Sequence, residues 1–303
     1  MTTPVDIREV GLRDGLQLEA PVPLATKLEI LDAVSRTGVR RVEVTSFVSP
    51  TAVPALADAE QVVAELGRWP DLRFSALVAG YGGARRAVAA GLPHLEYVIS
   101  ASDGHSLANA RRTSDDAVAA TADIATLAHD AGGFCEAIIA VAWDCPFDGR
   151  TPVERTVEVA RRAVELGADQ LCLGDTIGTT VPGRVVELVE AVRAACPGVE
   201  VGVHLHNTRG SGIACVLAAV QIGVTQIDAA VGGLGGCPFA PGASGNIATE
   251  EVVYLLEGSG FTTGLDLGHV LEAAAVVERA VGHALPSSLH RAGGPSRPIP
   301  RPV

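Results

Sequence analysis

The chain has 303 residues, with 35 acidic against 23 basic side chains for a net charge of −12, and it is 48% hydrophobic but only 19% charged. Ordinary globular chains carry roughly 25% charged residues, so this one is too apolar to stay disordered. Yet it holds no run of the ~18 uninterrupted apolar residues that a membrane helix needs. The acidic balance, with no Lys/Arg block beyond isolated pairs, excludes nucleic acid as the main partner.

In chain order, short β-branched runs alternate with longer Ala-rich stretches. The strand-like runs are 5–11, 39–47, 72–78, 94–100, 134–143, 170–175, 199–206 and 226–231. Their starts recur about every 32 residues, the length of one strand–helix unit. Amphipathic stretches at 24–37, 52–66, 115–131, 152–166 and 183–195 fill the gaps, and several stop at a glycine before the next strand, as in RTGVRRVEV and ELGADQLCL. Eight such units without an internal linker predict a (β/α)8 TIM barrel over residues 1–284, closed by extra C-terminal helices at 249–257 and 267–284. A doubly wound open sheet is the alternative, but no G-x-G-x-x-G follows the first strand. The Pro- and Gly-rich end, 285–303, reads as a flexible tail.

In such a barrel the chemistry gathers at the C-terminal ends of the strands. The first strand ends in Arg13-Asp14-Gly15-Leu16-Gln17; taken alone, a charged pair there reads as a salt-bridged rim. Glu43, alternating with Val42 and Val44 in the second strand, would need a cation if it points inward, and Arg13 is the nearest candidate. Asp175 closes the sixth strand. The seventh carries His204 and His206 two residues apart, on one face and roughly 6.6–6.8 Å from each other. A lone strand histidine is usually a packed core residue, but two at this spacing beside carboxylates favour a metal, and an oxygen-rich mixed set suits Mg²⁺ or Mn²⁺. After the eighth strand, a glycine-rich loop carries Cys237 and Asn246. Such a loop can fold over a ligand, and a thiol near a cation can serve as a proton donor.

The remaining cysteines stand singly, mostly in apolar runs, with no C-x-x-C pair, and Cys172, Cys196 and Cys215 read as structural. With no export signal at the N-terminus, the expected compartment is the reducing cytoplasm. For oligomeric state, a homodimer is the default.

These segments resemble the 3-hydroxy-3-methylglutaryl-CoA lyase family. The likeness is carried by VGLRDGLQLE, VEVTSFVSPTAVPALAD, WDCPFDG, LGDTIGTTVPG, HLHNTRG and GGLGGCPFAPGASGNIATEEVVYLLEG, and spans about Val5 to Ala284. The resemblance implies a metal-dependent carbon–carbon lyase that releases acetyl-CoA from an acyl-CoA substrate, without membrane or nucleic-acid partners. It implies Asp14, His204, His206 and Asn246 as ligands of a divalent cation. Arg13, Glu43, Asp175, His204 and Cys237 would be catalytic, with Arg13, Gln17 and Ser46 against the substrate. Arg111 and Arg112 are candidates for the CoA phosphates, against the plainer reading of a solvated helix start.

The chain departs from the family at Leu12, Leu18, Asn207, Arg209 and the segment SASDGHSLANARRT. Leu18, in place of a polar amide, suggests a greasier acyl pocket and a substituent larger than methyl. Asn207, in place of a carboxylate, suggests a less electron-rich histidine beside it. A condensing synthase or an oxo-acid aldolase of the same superfamily is the rival enzyme. A non-catalytic binding protein is the rival of another kind, and it predicts loss of at least one site residue where none is missing.

Overall fold

The computed structural model describes residues 3–236 and 245–294. Eight parallel strands close a barrel in sequence order: β1 (Asp6–Glu9), β2 (Arg41–Ser46), β3 (Arg73–Val78), β4 (Leu95–Ser100), β5 (Cys135–Ala140), β6 (Gln170–Gly174), β7 (Glu200–His204) and β8 (Gln226–Ala229). Asp228 beside Arg8 closes the ring between β8 and β1. Each expected apolar run contains one strand. Six of the strands end before their runs do, because the last residues leave the ladder to build the mouth; β3 and β4 end with theirs.

The helices, in order, are α1 (Leu24–Ser35), α2 (Ala59–Ala64), α3 (Tyr81–Ala89), α4 (Asp103–Ala110), α5 (Ser114–Ala119), α6 (Thr121–Asp130), α7 (Val153–Glu165), α8 (Pro182–Ala195), α9 (Gly212–Gln221), α10 (Thr249–Gly258), α11 (Leu267–Val281) and α12 (Ser288–Ala292). The packing follows the sequence period. In α7 the buried residues are Thr156, Val159, Ala160 and Ala163, a stripe at helical spacing turned to the strands. Two expected helices come out differently. The stretch 52–66 is α-helical only from Ala59 to Ala64, preceded by a 3-10 turn at Pro54–Leu56, because Pro54 keeps Val53 out of the helical region and cannot donate to a preceding turn. The stretch 115–131 divides into α5 and α6 at Ala120. Among the described residues no helix is long and apolar enough to cross a membrane.

Part of the stretch expected as a flexible tail, 285–294, is folded. Leu285 is 1% exposed, and Ser287 caps α12 by accepting from the His290 N–H at 3.1 Å. Gly232, at φ 73°, makes room for Leu285: a Cβ there would lie 2.2 Å from Leu285 Cδ1. Residues 295–303 lie outside the described residues.

At the top of β1, Glu9 ties three segments together. Its carboxylate accepts from the Gly11 and Val231 N–H groups, both at 2.9 Å, and from the Thr249 hydroxyl at 2.6 Å. Burial nevertheless raises its pKa from 4.5 to about 7, the three donors only partly opposing it. The folded state therefore keeps a proton that the unfolded chain releases. Stability present below pH 4.5 is lost as the pH rises to about 7, by up to about 1.4 kcal/mol per unit. Glu9→Gln is expected to flatten that slope in urea unfolding at pH 5 and pH 7.5; parallel profiles for the two proteins would exclude the assignment.

Candidate active site and metal centre

After β1 the chain makes one wide helical turn, Gly11–Gly15, in which the Asp14 and Gly15 N–H groups both point back to the Val10 carbonyl, at 2.8 and 3.2 Å. Turns of this π type recur at functional sites. This one carries Arg13 and Asp14 over the barrel axis, where both are buried. His204 ends β7. His206 follows it out of the ladder and pairs, antiparallel, with Asn246. Asn207 N to Gly245 O at 2.8 Å and Ile247 N to Leu205 O fix that register, so residues 245–249 act as a wedge between the ends of β7 and β8. Gly235, at φ 129°, leaves room for the Asn246 side chain: a Cβ there would stand 2.7 Å from Asn246 Nδ2.

These residues converge. Asp14 Oδ2 lies 3.7 Å from His204 Nε2 and 3.6 Å from His206 Nε2, and the two Nε2 atoms are 3.1 Å apart. Asn246 Nδ2 stands 2.7 Å from Asp14 Oδ2, while its Oδ1 is buried without a hydrogen-bond partner. Ligands about 2.1 Å from one cation stand about 3–3.4 Å from each other, close to the separations here. Two imidazole nitrogens facing each other beside a carboxylate oxygen and an unsatisfied amide oxygen form a donor set that fits a divalent ion. Asp14, His204 and His206 form the one such group of three found among the described residues. Burial would raise the Asp14 pKa, but Arg13 and the two imidazoles outweigh it and hold the carboxyl well below the usual range.

The outer partners were less visible in the sequence. His204 Nδ1 lies 3.1 Å from Asp228 Oδ2, which leaves Nε2 free for the cation. Arg8 grips Asp228 through Nε and Nη2, each at 2.8 Å, and also meets Glu96 at 2.7 Å and Glu136. Arg13 pairs with Asp14 and, at 2.6 Å, with Glu43. Burial, partly offset by Arg13 and reinforced by Glu96, pushes the Glu43 carboxyl upward. Glu96, Glu136 and Asp228 are each the one charged residue of their strand, and that shared position is the signal that could have found them; Arg8, between Asp6 and Glu9, carries no such signal.

The residues expected at the site divide as follows. Arg13, Asp14, Gln17, Ser46, His204 and His206 line a cleft of about 1250 Å³ at the barrel mouth. Gln17 Nε2 holds Asp14 Oδ1 at 3.0 Å. Glu43 lies beneath Arg13, fully buried, and can act only through it. Asp175 reaches the same end of the barrel but accepts from the Thr179 and Thr180 N–H groups at 3.0 and 3.1 Å, whereas its neighbours Gly174 and Thr176 face the cleft. Its carboxylate anchors the loop after β6. His204 turns Nε2 to Asp14 and His206 and Nδ1 to Asp228. Asn207 Oδ1 accepts from the Gly212 N–H at 3.1 Å, at the start of α9. Cys237 lies outside the described residues; the other five cysteines are buried and unpaired.

Arg111 and Arg112 also line the cleft, together with His105, Arg86 and Tyr81, which sequence reasoning missed. Burial lowers the His105 pKa to about 4. Arg111 (φ 56°) and Val141 (φ 52°) are the two non-glycine residues with left-handed backbone among those described, and both stand at the mouth. Such strain collects at functional sites. The lining contains four arginines and Asp14 as its one acidic group, in a chain of net charge −12.

Comparison with known proteins agrees with this geometry. The HMGL-like family model matches residues 4–277. The chain belongs to that family. It is 40% identical over 300 residues to the (R)-citramalyl-CoA lyase of Chloroflexus aurantiacus, covering 95% of each chain. It is 38% identical over 285 residues to the hydroxymethylglutaryl-CoA lyase of Bacillus subtilis, covering 93% of this chain and 95% of that one. Among solved structures, an HMG-CoA lyase from Acinetobacter baumannii in complex with coenzyme A and 3-methylmalate superposes with a TM-score of 0.92 at 37% identity, covering 98% of both chains. The expected barrel and the expected family are thus met, and the named relatives are carbon–carbon lyases.

Proposed function

We propose that this protein cleaves a 3-hydroxy-3-methylglutaryl-CoA-type thioester to acetyl-CoA and a 3-oxo acid, with Asp14, His204, His206 and Asn246 holding Mg²⁺ or Mn²⁺. The observation that carries the reading is the Asp14–His204–His206 cluster at the floor of a cleft rimmed by arginines. The cleavage removes the proton of the C3 hydroxyl and breaks the C2–C3 bond. The bond's electrons pass into the thioester as an enolate, and C2 then takes a proton. When bound, the cation supplies Lewis acidity that makes the hydroxyl more acidic and polarises the thioester carbonyl. Arg13, held from below by Glu43, presents a fixed positive charge to the oxygen on which negative charge grows. Cys237 is the proposed donor of the proton to C2. Arg86, Arg111 and Arg112 offer positive charge to the substrate's carboxylate and to the CoA phosphates.

Citramalyl-CoA is the second substrate reading, favoured by the relative of that name at 40% identity. The same bond cleavage would then give acetyl-CoA and a 2-oxo acid. The cytoplasm is the proposed compartment, and some relatives carry that word in their names. The test is release of acetyl-CoA from each thioester, with and without a chelator. Chelation is expected to abolish turnover, and Mn²⁺ or Mg²⁺ to restore it. His206→Ala is expected to weaken Mn²⁺ binding, measured by calorimetry, by more than the roughly 10–100-fold that loss of an outer partner costs. Turnover that survives chelation, or unchanged Mn²⁺ affinity, would refute the metal assignment.

A further inference from the structure

Three apolar side chains at the barrel mouth face the cleft without covering anything. Leu77 on β3 and Val98 on β4 are only partly buried, although Ala76, Val78, Tyr97 and Ile99 beside them are fully buried. Ile138 of β5, paired with Val98 across the strands, is the third. Each stands two residues beyond a polar group of the barrel interior: Leu77 beyond Ser75, Val98 beyond Glu96, Ile138 beyond Glu136. Ser75 donates to Glu96, and Arg8 pairs with both glutamates. The three therefore form an apolar layer directly above buried charge. They occupy β3–β5, across the ring from β7, β8 and β1, which position His204, Asp228 and Asp14.

We infer that Leu77, Val98 and Ile138 form the subsite for the alkyl substituent on the carbinol carbon, and that this substituent is an unbranched chain longer than methyl. The inference rests on the lyase reading above. The carbinol carbon carries a hydroxyl, a thioester arm, a carboxylate arm and one more group. The hydroxyl and the thioester belong with the cation ligands, and the carboxylate with the arginines of the rim. Leu77, Val98 and Ile138 offer no side-chain hydrogen-bond donor, and such a surface rejects a charge and accepts hydrocarbon. A methyl group would leave the open faces of Leu77 and Val98 uncovered. Leu18 is not this subsite: it is 50% exposed and sits at the rim beside Gly236.

The experiment compares three thioesters with Mn²⁺ present: 3-hydroxy-3-methylglutaryl-, 3-hydroxy-3-propylglutaryl- and 3-hydroxy-3-(2-carboxyethyl)glutaryl-CoA. Each buried methylene is worth about a fourfold gain in kcat/KM. Propyl is thus expected to exceed methyl by on the order of tenfold, with the carboxyethyl compound below both. Val98→Leu, which fills the arc, and Val98→Thr, which makes it polar at nearly constant shape, should each lower the propyl-to-methyl ratio by roughly fourfold or more. Thermal melting checks that both variants fold. A native preference for methyl, or a ratio that neither variant moves, overturns the subsite and leaves the lyase standing. Failure to release acetyl-CoA from all three overturns the subsite, and failure on citramalyl-CoA as well overturns the lyase reading with it.

Discussion

Arg13→Gln is expected to fold and bind Mn²⁺ yet lose 10²–10³-fold or more in kcat, with little change in KM. The size follows from what Arg13 does: it offers charge in a buried site to an oxygen that becomes negative mainly in the transition state, and removing one such group typically costs that much. The fold survives because Glu43, which loses its 2.6 Å ion pair, already has a carboxyl pushed upward by burial and can take a proton instead of leaving a bare charge. Arg13→Lys keeps the charge but not the fork that spans Asp14 and Glu43, so it should fall between native protein and glutamine variant. A glutamine variant within threefold of the native rate would remove Arg13 from the chemistry. A variant that fails to melt cooperatively would show that its role is structural.

The parts legible in the sequence are those set by short-range rules. Strand runs, glycine stops and a repeat near 32 residues depend only on hydrophobic period and turn chemistry, and they yielded the eight strands in order. The spacing of His204 and His206 fixed their shared face. What the pattern does not carry is which way a polar side chain turns once it reaches the mouth. Asp175 could equally have faced the cleft. Its carboxylate instead satisfies the Thr179 and Thr180 amides, an exchange decided by a loop four residues further on. Leu18 lines the rim of the cleft, half exposed, and Asn207 turns to the Gly212 N–H, whereas the carboxylate against His204 Nδ1 comes from Asp228. That carboxylate lies on another strand, and only barrel closure brings the two together.

Arg8 shows the consequence of that closure most sharply, and Arg8→Met is expected to be the most destabilising change in the molecule. Arg8 is the shared cation of Glu96, Glu136 and Asp228, all at or below 4% exposure. Removing one partner of a buried ion pair typically costs about 3–5 kcal/mol, because the charge left behind has neither water nor counterion. The pH dependence has a definite sign. In the native protein burial would raise the Asp228 pKa, but Arg8 and His204 outweigh it, so its contribution is present above the unfolded pKa and lost as the pH falls. In the variant the stranded carboxyls have raised pKa values, so the folded state gains protons and the deficit should shrink as the pH falls from 8 towards 5. The same change frees Asp228 from its orientation against His204 Nδ1, and Mn²⁺ affinity should drop by roughly 10–100-fold. Urea unfolding at pH 5 and pH 8 and Mn²⁺ titration read the two effects separately. A loss below 1 kcal/mol at pH 8, or a deficit that deepens in acid, would mean that the barrel interior holds its three carboxyls by some means other than Arg8.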